Sequence, residues 1–318
     1  MTAPTSSAAP VPPPSRQAAS EFSSGVHVYE PHRAGLPNLK IYFRELWARR
    51  HFAITLAHTD MRAAHTATFF GQMWLIINPL LLALVYLLLV DVISGRQQGI
   101  WYFSHLLSGL FIFYFVSGGM IQGSNIVVQE GGLIMNQAFP RLLLPLTSVY
   151  IAVRRFLPTL SILIVMHFLS DTPTTLDLVW LIPIFAEIVL FTAGLASFFA
   201  AVQVYFRDMS QFLPYFTRIW LYVSPVIFTV GQIKGKPKLE QLEWLNPLMP
   251  LLGNWTQVFA GEPVCRVGKP PSCKTLDHIA TVGVNYHYLA AGFAWAVVVF
   301  TIGALYYISR EREFAVRL

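Results

Sequence analysis

The chain has 318 residues, of which 55% are hydrophobic and only 12% are charged, and its mean hydropathy is positive. This composition excludes an ordinary water-soluble domain and indicates a polytopic membrane protein. The formal net charge of +6 does not indicate a nucleic-acid-binding protein, because no basic block or interleaved aromatic patch accompanies it.

Residues 1–38 form a leader rich in Pro, Ala and Ser, with almost no charge at its beginning. Such a segment cannot bury a core, so we expect it to be disordered. It does not resemble a secretory signal, because no apolar stretch of sufficient length appears before Leu39.

An amphipathic helix is predicted directly after the leader, at the start of residues 39–68, which lead into the first membrane span. Its apolar positions follow the i, i+3, i+4, i+7, i+8 pattern of one helical face and are Leu39, Tyr42, Phe43, Leu46 and Trp47. Basic residues, among them Arg44, Arg49 and Arg50, take the other face. We expect this helix to lie in the cytoplasmic headgroup layer.

Six transmembrane helices are predicted in residues 69–318, which gives an all-α fold. The spans are residues 69–93, 105–128, 142–169, 178–205, 213–230 and 288–308. An even number of spans puts both termini on one side. That side is predicted to be the cytoplasm of an inner membrane, because it holds most of the arginines near span ends. These are Arg49, Arg50, Arg62, Arg141, Arg207, Arg310, Arg312 and Arg317, against Arg96 in the short outer loops.

The outer loop, residues 231–287, contains an apolar stretch at 239–260 that Asn246-Pro247, Pro250 and Gly253 interrupt. A re-entrant or surface-lying helical hairpin is therefore expected there rather than a span. Cys265 and Cys273 follow on the predicted outer face, where oxidation favours a disulfide. A metal site is the weaker interpretation, since their spacing matches no common zinc motif.

Arg207 and Asp208 mark a reversal of the chain between two apolar runs at the cytoplasmic face. We expect Arg207 to anchor the helix end at headgroups or carbonyls, and Asp208 to cap the next helix. The alternative is that the pair transmits motion from a cytoplasmic partner.

Three charged residues are predicted at membrane depth: Arg154 and Arg155 in the third span, and Glu187 in the fourth. The simplest interpretation is an ion pair between Glu187 and one arginine, because buried charges are almost always paired. The alternative is that one arginine meets an anionic substrate group such as pyrophosphate.

Catalytic motifs are absent from the sequence. It contains no G-x-x-x-x-G-K-[ST], no G-x-S-x-G and no H-E-x-x-H, and its acidic residues are scattered. Any use of ATP must therefore come from another protein.

Four stretches together resemble the permease subunits of ABC-2 type polysaccharide exporters, the Wzm-like and TagG-like proteins. They are MRAAHTATFFGQMWLIINPL (61–80), NIVVQEGGLIMNQAFPRLLLPL (125–146), VYFRDMSQFLPYFTRIWLYVSPVIF (204–228) and LNPLMPLLGNWTQVFAGE (245–262). Within that family, the lipid-linked galactan exporters of mycolate-bearing actinobacteria are the most similar group. The family pattern does not include Arg154-Arg155.

The resemblance implies a homodimeric pathway in the cytoplasmic membrane, with two copies of a separate ATPase that holds ATP and Mg²⁺, and no cofactor on this chain. It implies a polyprenyl-pyrophosphate-linked glycan of O-antigen, teichoic acid or galactan type as substrate. It also implies that the ATPase contacts the amphipathic helix and a coupling segment at 129–140. The residues concerned are Gln129, Glu130, Leu133, Asn136, Phe139 and Arg141, with Arg44, Arg49 and Arg50. An ABC-2 exporter of a drug or lipid, or a membrane glycan transferase, remains the alternative.

Overall fold

The structure is a computed structural model that describes residues 37–65, 73–94, 99–170, 172, 175–232, 244–267, 275–280 and 283–318. Nearly all of the leader lies outside the described residues, so its predicted disorder stays a prediction.

The predicted amphipathic helix is present as α1, Leu39–Ala48. Asn38 begins it by accepting a hydrogen bond from the Lys40 amide at 3.2 Å. A turn at Arg49 separates α1 from α2, Arg50–His65. The sequence prediction treated α2 only as the approach to the first span, whereas it is a helix that packs along α6, defined below.

Eight further helices follow in the described chain. They are α3 (Trp74–Ser94), α4 (Gly99–Gln129), α5 (Gly131–Asn136), α6 (Leu143–Leu169), α7 (Leu181–Tyr205), α8 (Met209–Val223), α9 (Leu248–Ala260) and α10 (Tyr286–Arg310). A 3-10 turn, Leu176–Trp180, precedes α7, and another, Val230–Gln232, follows α8. The chain closes with a C-terminal segment, residues 311–318, made of a 3-10 turn and one α-helical turn.

Four stretches of the described chain are long and apolar enough to cross a membrane, which confirms a multi-pass protein. They are Ile100–Gln129, Leu143–Leu169, Leu176–Tyr205 and Tyr286–Arg317. The predicted first span corresponds to α3, a helix of 21 residues that continues through Asn78-Pro79. The predicted fifth span differs more, because α8 has only 15 residues. At 1.5 Å per residue it is about 22 Å long, short of the ~30 Å hydrocarbon core.

Residues 248–260 of the apolar stretch in the predicted outer loop form α9, whose 13 residues are all buried. Pro250 and Gly253 do not break this helix, contrary to the sequence-based expectation. Pro250 lies in the first turn, where its missing N–H costs nothing, and Gly253 packs tightly under Val230 and Tyr288. Most of the first arm of the predicted hairpin lies outside the described residues, so the hairpin stays a prediction.

The predicted outer loop also contains a two-stranded antiparallel sheet, β1 (Glu262–Val267) and β2 (Thr275–Ala280). The all-α expectation therefore fails in this loop, although it holds for the rest of the described chain. Cys265 lies on β1, opposite Leu276. Cys273 lies outside the described residues, so the disulfide stays a prediction.

Helix α7 is the centre of the bundle and approaches its neighbours at backbone distance. A Cβ atom on Gly303 of α10 would lie 2.1 Å from the Gly194 carbonyl oxygen of α7. On the other side, a Cβ on Gly123 of α4 would lie 2.5 Å from the Ala196 Cβ. Lipid tails are as apolar as the helices, so the hydrophobic effect does not drive helices together in a membrane. Close van der Waals contacts between small residues hold them together.

Gly303→Ala is expected to destabilise the protein by about 1–3 kcal/mol, because the two backbones must separate to admit one methyl group. Thermal unfolding of the purified protein in detergent measures this loss. Gly118→Ala is the matched control, since a Cβ there meets nothing within 4 Å. Equal melting temperatures for both variants would contradict the proposed packing.

Candidate functional site

Two regions carry the predicted functional residues. The first is a hydrogen-bonded network at one end of the bundle, where α1, the chain before α6 and the C-terminal segment meet. The Tyr42 hydroxyl donates to the Glu311 carboxylate at 2.6 Å and accepts from the Leu142 amide at 3.3 Å. Arg141 donates to the Glu311 carbonyl oxygen and accepts at its own carbonyl from the Tyr307 hydroxyl at 3.0 Å.

Tyr42 is buried, which raises the pKa of its phenol, and the negative charge of Glu311 raises it further. The phenol therefore stays protonated and keeps donating to Glu311. Tyr42 lies on α1, Arg141 and Leu142 lie just before α6, and Tyr307 and Glu311 lie at the end of α10 and just after it. The network therefore ties three distant parts of the chain into one unit.

The junction of α1 and α2 also contacts the predicted coupling segment directly. Arg49 donates to the Ala138 carbonyl oxygen, and the rings of Phe52 and Phe139 lie 5.3 Å apart. Within residues 129–140 the structure forms the short helix α5. The two elements that the family resemblance assigned to the ATPase interface are therefore neighbours in the fold.

The predicted coupling residues divide into two groups. Leu133 and Phe139 are partly buried and pack on the hydrophobic core beneath the segment. Glu130 and Arg141 are half-buried, whereas the other predicted residues are exposed: Gln129, Asn136, Arg44, Arg49 and Arg50. The exposed surface also includes Trp47 and Met135, which are 68% and 62% exposed. Met135 is the exposed apolar side chain of α5, since Leu133 is half-buried and Ile134 is buried. The sequence did not predict it as a contact residue.

The charged turn between α7 and α8 reverses the chain as predicted, with Arg207 and Asp208 both exposed. Asp208 stands at the N-cap position of α8, but its side chain makes no capping hydrogen bond, so that prediction is wrong. Its backbone is already helical, and its carbonyl accepts the Gln211 and Phe212 amides at 3.0 Å. The side chains of Gln203 and Ser210 both donate hydrogen bonds to the Arg207 carbonyl oxygen at this turn.

The second region is a cavity of about 450 Å³ between α3, α4 and α6. Half of its ten lining residues are aromatic: Trp74, Phe111, Tyr114, Phe115 and Phe156. Its polar lining residues are Gln122, Arg155 and Thr159. Trp74 and Tyr114 are 42% and 41% exposed, so the cavity is reachable from outside the bundle.

Arg155 is the charged residue of this cavity. Its Nη1 donates to the Gln122 side-chain oxygen at 3.2 Å, while its Nε is buried without a hydrogen-bond partner. Among the side chains that the structure describes, no carboxylate oxygen lies within 4.0 Å of this guanidinium. Arg154, the adjacent residue, is exposed and does not line the cavity.

The predicted ion pair between Glu187 and an intramembrane arginine is not formed. The Glu187 carboxylate is buried against α10 and α9, where a Cβ on Gly292 would lie 2.8 Å from it and 3.0 Å from Leu251. Arg155 instead faces α4 and α2. Phe156, next to Arg155, stacks on Phe185, two residues before Glu187, so the two charges lie on neighbouring parts of α6 and α7, but they are directed toward different neighbours.

Two residues near Arg155, Gln122 and Asp60, were missed or only partly predicted. Gln122 was expected to face protein or water but not to bind the arginine. Burial raises the pKa of the Asp60 carboxyl on α2. The positive charge of Arg155 lowers this pKa and so partly offsets the rise. Burial also raises the pKa of Glu130, and the negative charge of Asp60 adds to it. A third arginine within a predicted span, Arg218 on α8, interacts electrostatically with Tyr114 and was visible in the sequence.

Comparisons with known proteins identify relatives over about two thirds of the chain, although no protein-family model matches it. Two O-antigen export system permease proteins RfbA of Klebsiella pneumoniae are 26% and 25% identical to it over 210 residues. That region covers 65% of this chain and 79% of each relative. The O-antigen export system permease protein RfbA of Myxococcus xanthus is 27% identical over 221 residues, which cover 68% of this chain and 83% of the relative.

The chain is distantly homologous to these O-antigen export permeases. The family resemblance drawn from the four sequence stretches is therefore supported at the level of the ABC-2, Wzm-type permease. The galactan group within that family is not distinguished by these relatives.

Tyr42→Phe is expected to destabilise the protein by about 1–3 kcal/mol, because it leaves the half-buried Glu311 carboxylate and the buried Leu142 amide without their partner. Tyr205→Phe is the matched control. The Tyr205 hydroxyl also donates to a carboxylate at 2.6 Å, but that partner, Glu313, is 45% exposed. Its loss is expected to cost under about 1 kcal/mol. Thermal unfolding in detergent compares the two, and a larger loss for Tyr205→Phe would contradict the role of the network.

Proposed function

We propose that this protein is the transmembrane permease subunit of an ATP-driven exporter that moves a lipid-linked polysaccharide across the cytoplasmic membrane. The observation that carries the proposal is the distant homology to O-antigen export system permease proteins over about two thirds of the chain. The long apolar helices supply the membrane pathway that such a subunit needs. O-antigen, teichoic acid and galactan are the substrate types considered, and a lipid-linked galactan is the specific proposal.

ATP is hydrolysed by a partner in this scheme, because the relatives are permease subunits and the sequence contains no P-loop. We infer a homodimer of this chain with two ATPase copies beneath it. The end of the bundle that holds α1, α5 and the C-terminal segment is the cytoplasmic end, which leaves both described ends of the chain inside. Residues 244–267 and 275–280 then belong to the outer face, with the re-entrant hairpin and the disulfide near the exit.

Coupling runs through contacts between α1 and the segment 129–140. A displacement of α5 by the ATPase moves Phe139 and Arg141, which follow it in the chain. The hydrogen bonds around Glu311 then transmit this displacement to α1 and α10. A conformational change is transmitted only if the ATPase binds the two states of this unit with different affinity. The Arg207 and Asp208 turn lies outside this network among the described contacts, so we assign it an anchoring role.

An exporter of a drug or another lipid is the second candidate. The cavity supports it, because aromatic walls accept many amphiphiles. No observation favours the glycan transferase.

Met135→Asp is expected to weaken binding of the ATPase at least about tenfold, because a carboxylate would be buried in an apolar contact. Co-purification of the ATPase with the tagged permease measures this effect. Leu176→Asp is the matched control: Leu176 is 89% exposed and lies at the opposite end of α6. Retention of the ATPase by Met135→Asp, or its loss only in Leu176→Asp, would overturn the assignment of the cytoplasmic end.

Depletion of the protein in its native host is expected to make lipid-linked glycan accumulate on the inner leaflet while surface glycan declines. Leaflet-specific labelling of the glycan, with total lipid-linked glycan as the reference, measures both changes. Normal surface glycan after depletion would exclude the proposed substrate class and favour the second candidate.

A further inference from the structure

The Arg155 cavity has the properties of a ligand site that the names of the relatives do not assign, and it distinguishes Arg155 from Arg154, which the sequence did not. We propose that it binds the phosphate of a lipid, with Arg155 as the cationic partner, Gln122 as the residue that holds the guanidinium, and the aromatic walls around the attached chain. The proposal rests on the proposed function, which requires a lipid-linked phosphate to cross the membrane, and it names where in this chain that group is held.

The first argument is the unpaired charge. Arg155 is the thirteenth residue of the 27 in α6, about 18 Å from the start of that helix. A cation at this depth is costly unless an anion or several dipoles compensate it. Within the described part of the chain, its only hydrogen bond is to a neutral amide, and its Nε has none. Asp60 interacts with it only beyond ion-pair distance.

The second argument is the fit between the guanidinium and a phosphate. Arginine presents five N–H donors in a planar fork that matches two oxygens of a phosphate group. One of these donors is directed at Gln122, which fixes the orientation of the plane. The donors that remain include the buried Nε, so a phosphate entering the cavity would meet an oriented and incompletely satisfied cation.

The third argument is that the cavity combines one charged side chain with apolar aromatic walls. A cavity of about 450 Å³ lies in the size range of small-molecule sites, and five aromatic side chains line it. A free phosphate would leave these walls uncovered, and a neutral lipid would leave Arg155 unpaired. An amphiphile with a phosphate at one end and an apolar chain satisfies both. It can enter past Trp74 and Tyr114, which are exposed at the cavity.

Two kinds of lipid present this chemistry: a polyprenyl phosphate, which carries glycans, and an ordinary anionic phospholipid. The experiment uses the full permease–ATPase complex in phosphatidylcholine nanodiscs. Its probes are radiolabelled undecaprenyl phosphate, phosphatidylglycerol and inorganic pyrophosphate. Saturable binding of undecaprenyl phosphate above that of phosphatidylglycerol identifies the carrier lipid. Equal binding of both identifies a general anionic-lipid site and still supports the shared chemistry.

Arg155→Gln is expected to weaken lipid binding about tenfold or more, because a charge-assisted hydrogen bond is lost. Arg155→Lys is expected to restore part of it. Arg154→Gln is the matched control: it removes the same charge one residue away, on a side chain outside the cavity, and binding is expected to stay unchanged.

Gly118→Leu provides a second, independent variant. Gly118 lines the cavity, and a Cβ there meets nothing within 4 Å, so a leucine would fill the cavity while every charge is kept. It is expected to reduce lipid binding while the melting temperature stays at that of the wild type. Binding that is unchanged in both Arg155→Gln and Gly118→Leu would overturn the proposal, as would pyrophosphate binding as tightly as the lipid.

The proposal and the proposed function fail in different ways. If depletion leaves surface glycan normal while the lipid still binds through Arg155, the function fails and the site remains. If depletion blocks export while Arg155→Gln binds lipid and exports glycan like the wild type, the site fails and the function remains.

Discussion

Backbone-to-backbone packing around α7 is the constraint on which the rest of the bundle depends. Helices in lipid gain little from burying apolar surface against one another, so they are held by close contacts between small residues. The contact of Gly194 with Gly303 brings α10 against one side of α7, and that of Ala196 with Gly123 brings α4 against another. With α4 fixed in this way, Gln122, one residue before Gly123, is directed toward α6, where it meets Arg155.

Helix α6 joins the two candidate sites. It begins just after Arg141, which belongs to the network with Tyr42 and Glu311, and it carries Arg155 about three turns further along. A continuous helix transmits a displacement of one end to the other, so motion at the network must also move one wall of the cavity. The lipid site and the ATPase contact would therefore be coupled without any separate relay, provided that the network has two arrangements.

The sequence predicted those features that depend on local pattern. Long apolar runs predicted α6, α7 and α10 to within about three residues at each end, whereas α4 begins six residues before its predicted start, and the Arg207–Asp208 turn was correctly recognised as a reversal. Features that depend on distant partners were missed. The hairpin of β1 and β2 requires pairing across an intervening loop, and the partner of Arg155 depends on how α4 and α6 are rotated. Asp208 failed as a cap because the backbone at that position is already helical.

The pair Arg154-Arg155 shows how helical geometry separates two identical residues. Successive side chains on an α-helix point about 100° apart, so only one of the two can face a given cavity. The packing of α6 on α4 selects Arg155 and leaves Arg154 outside. Glu187 cannot neutralise the selected charge, because its carboxylate is held between α10 and α9. Asp60 interacts with it only beyond ion-pair distance. A cation kept at membrane depth with so weak a counter-charge is stabilised when an anion binds beside it, which is the role proposed for a lipid phosphate in this cavity.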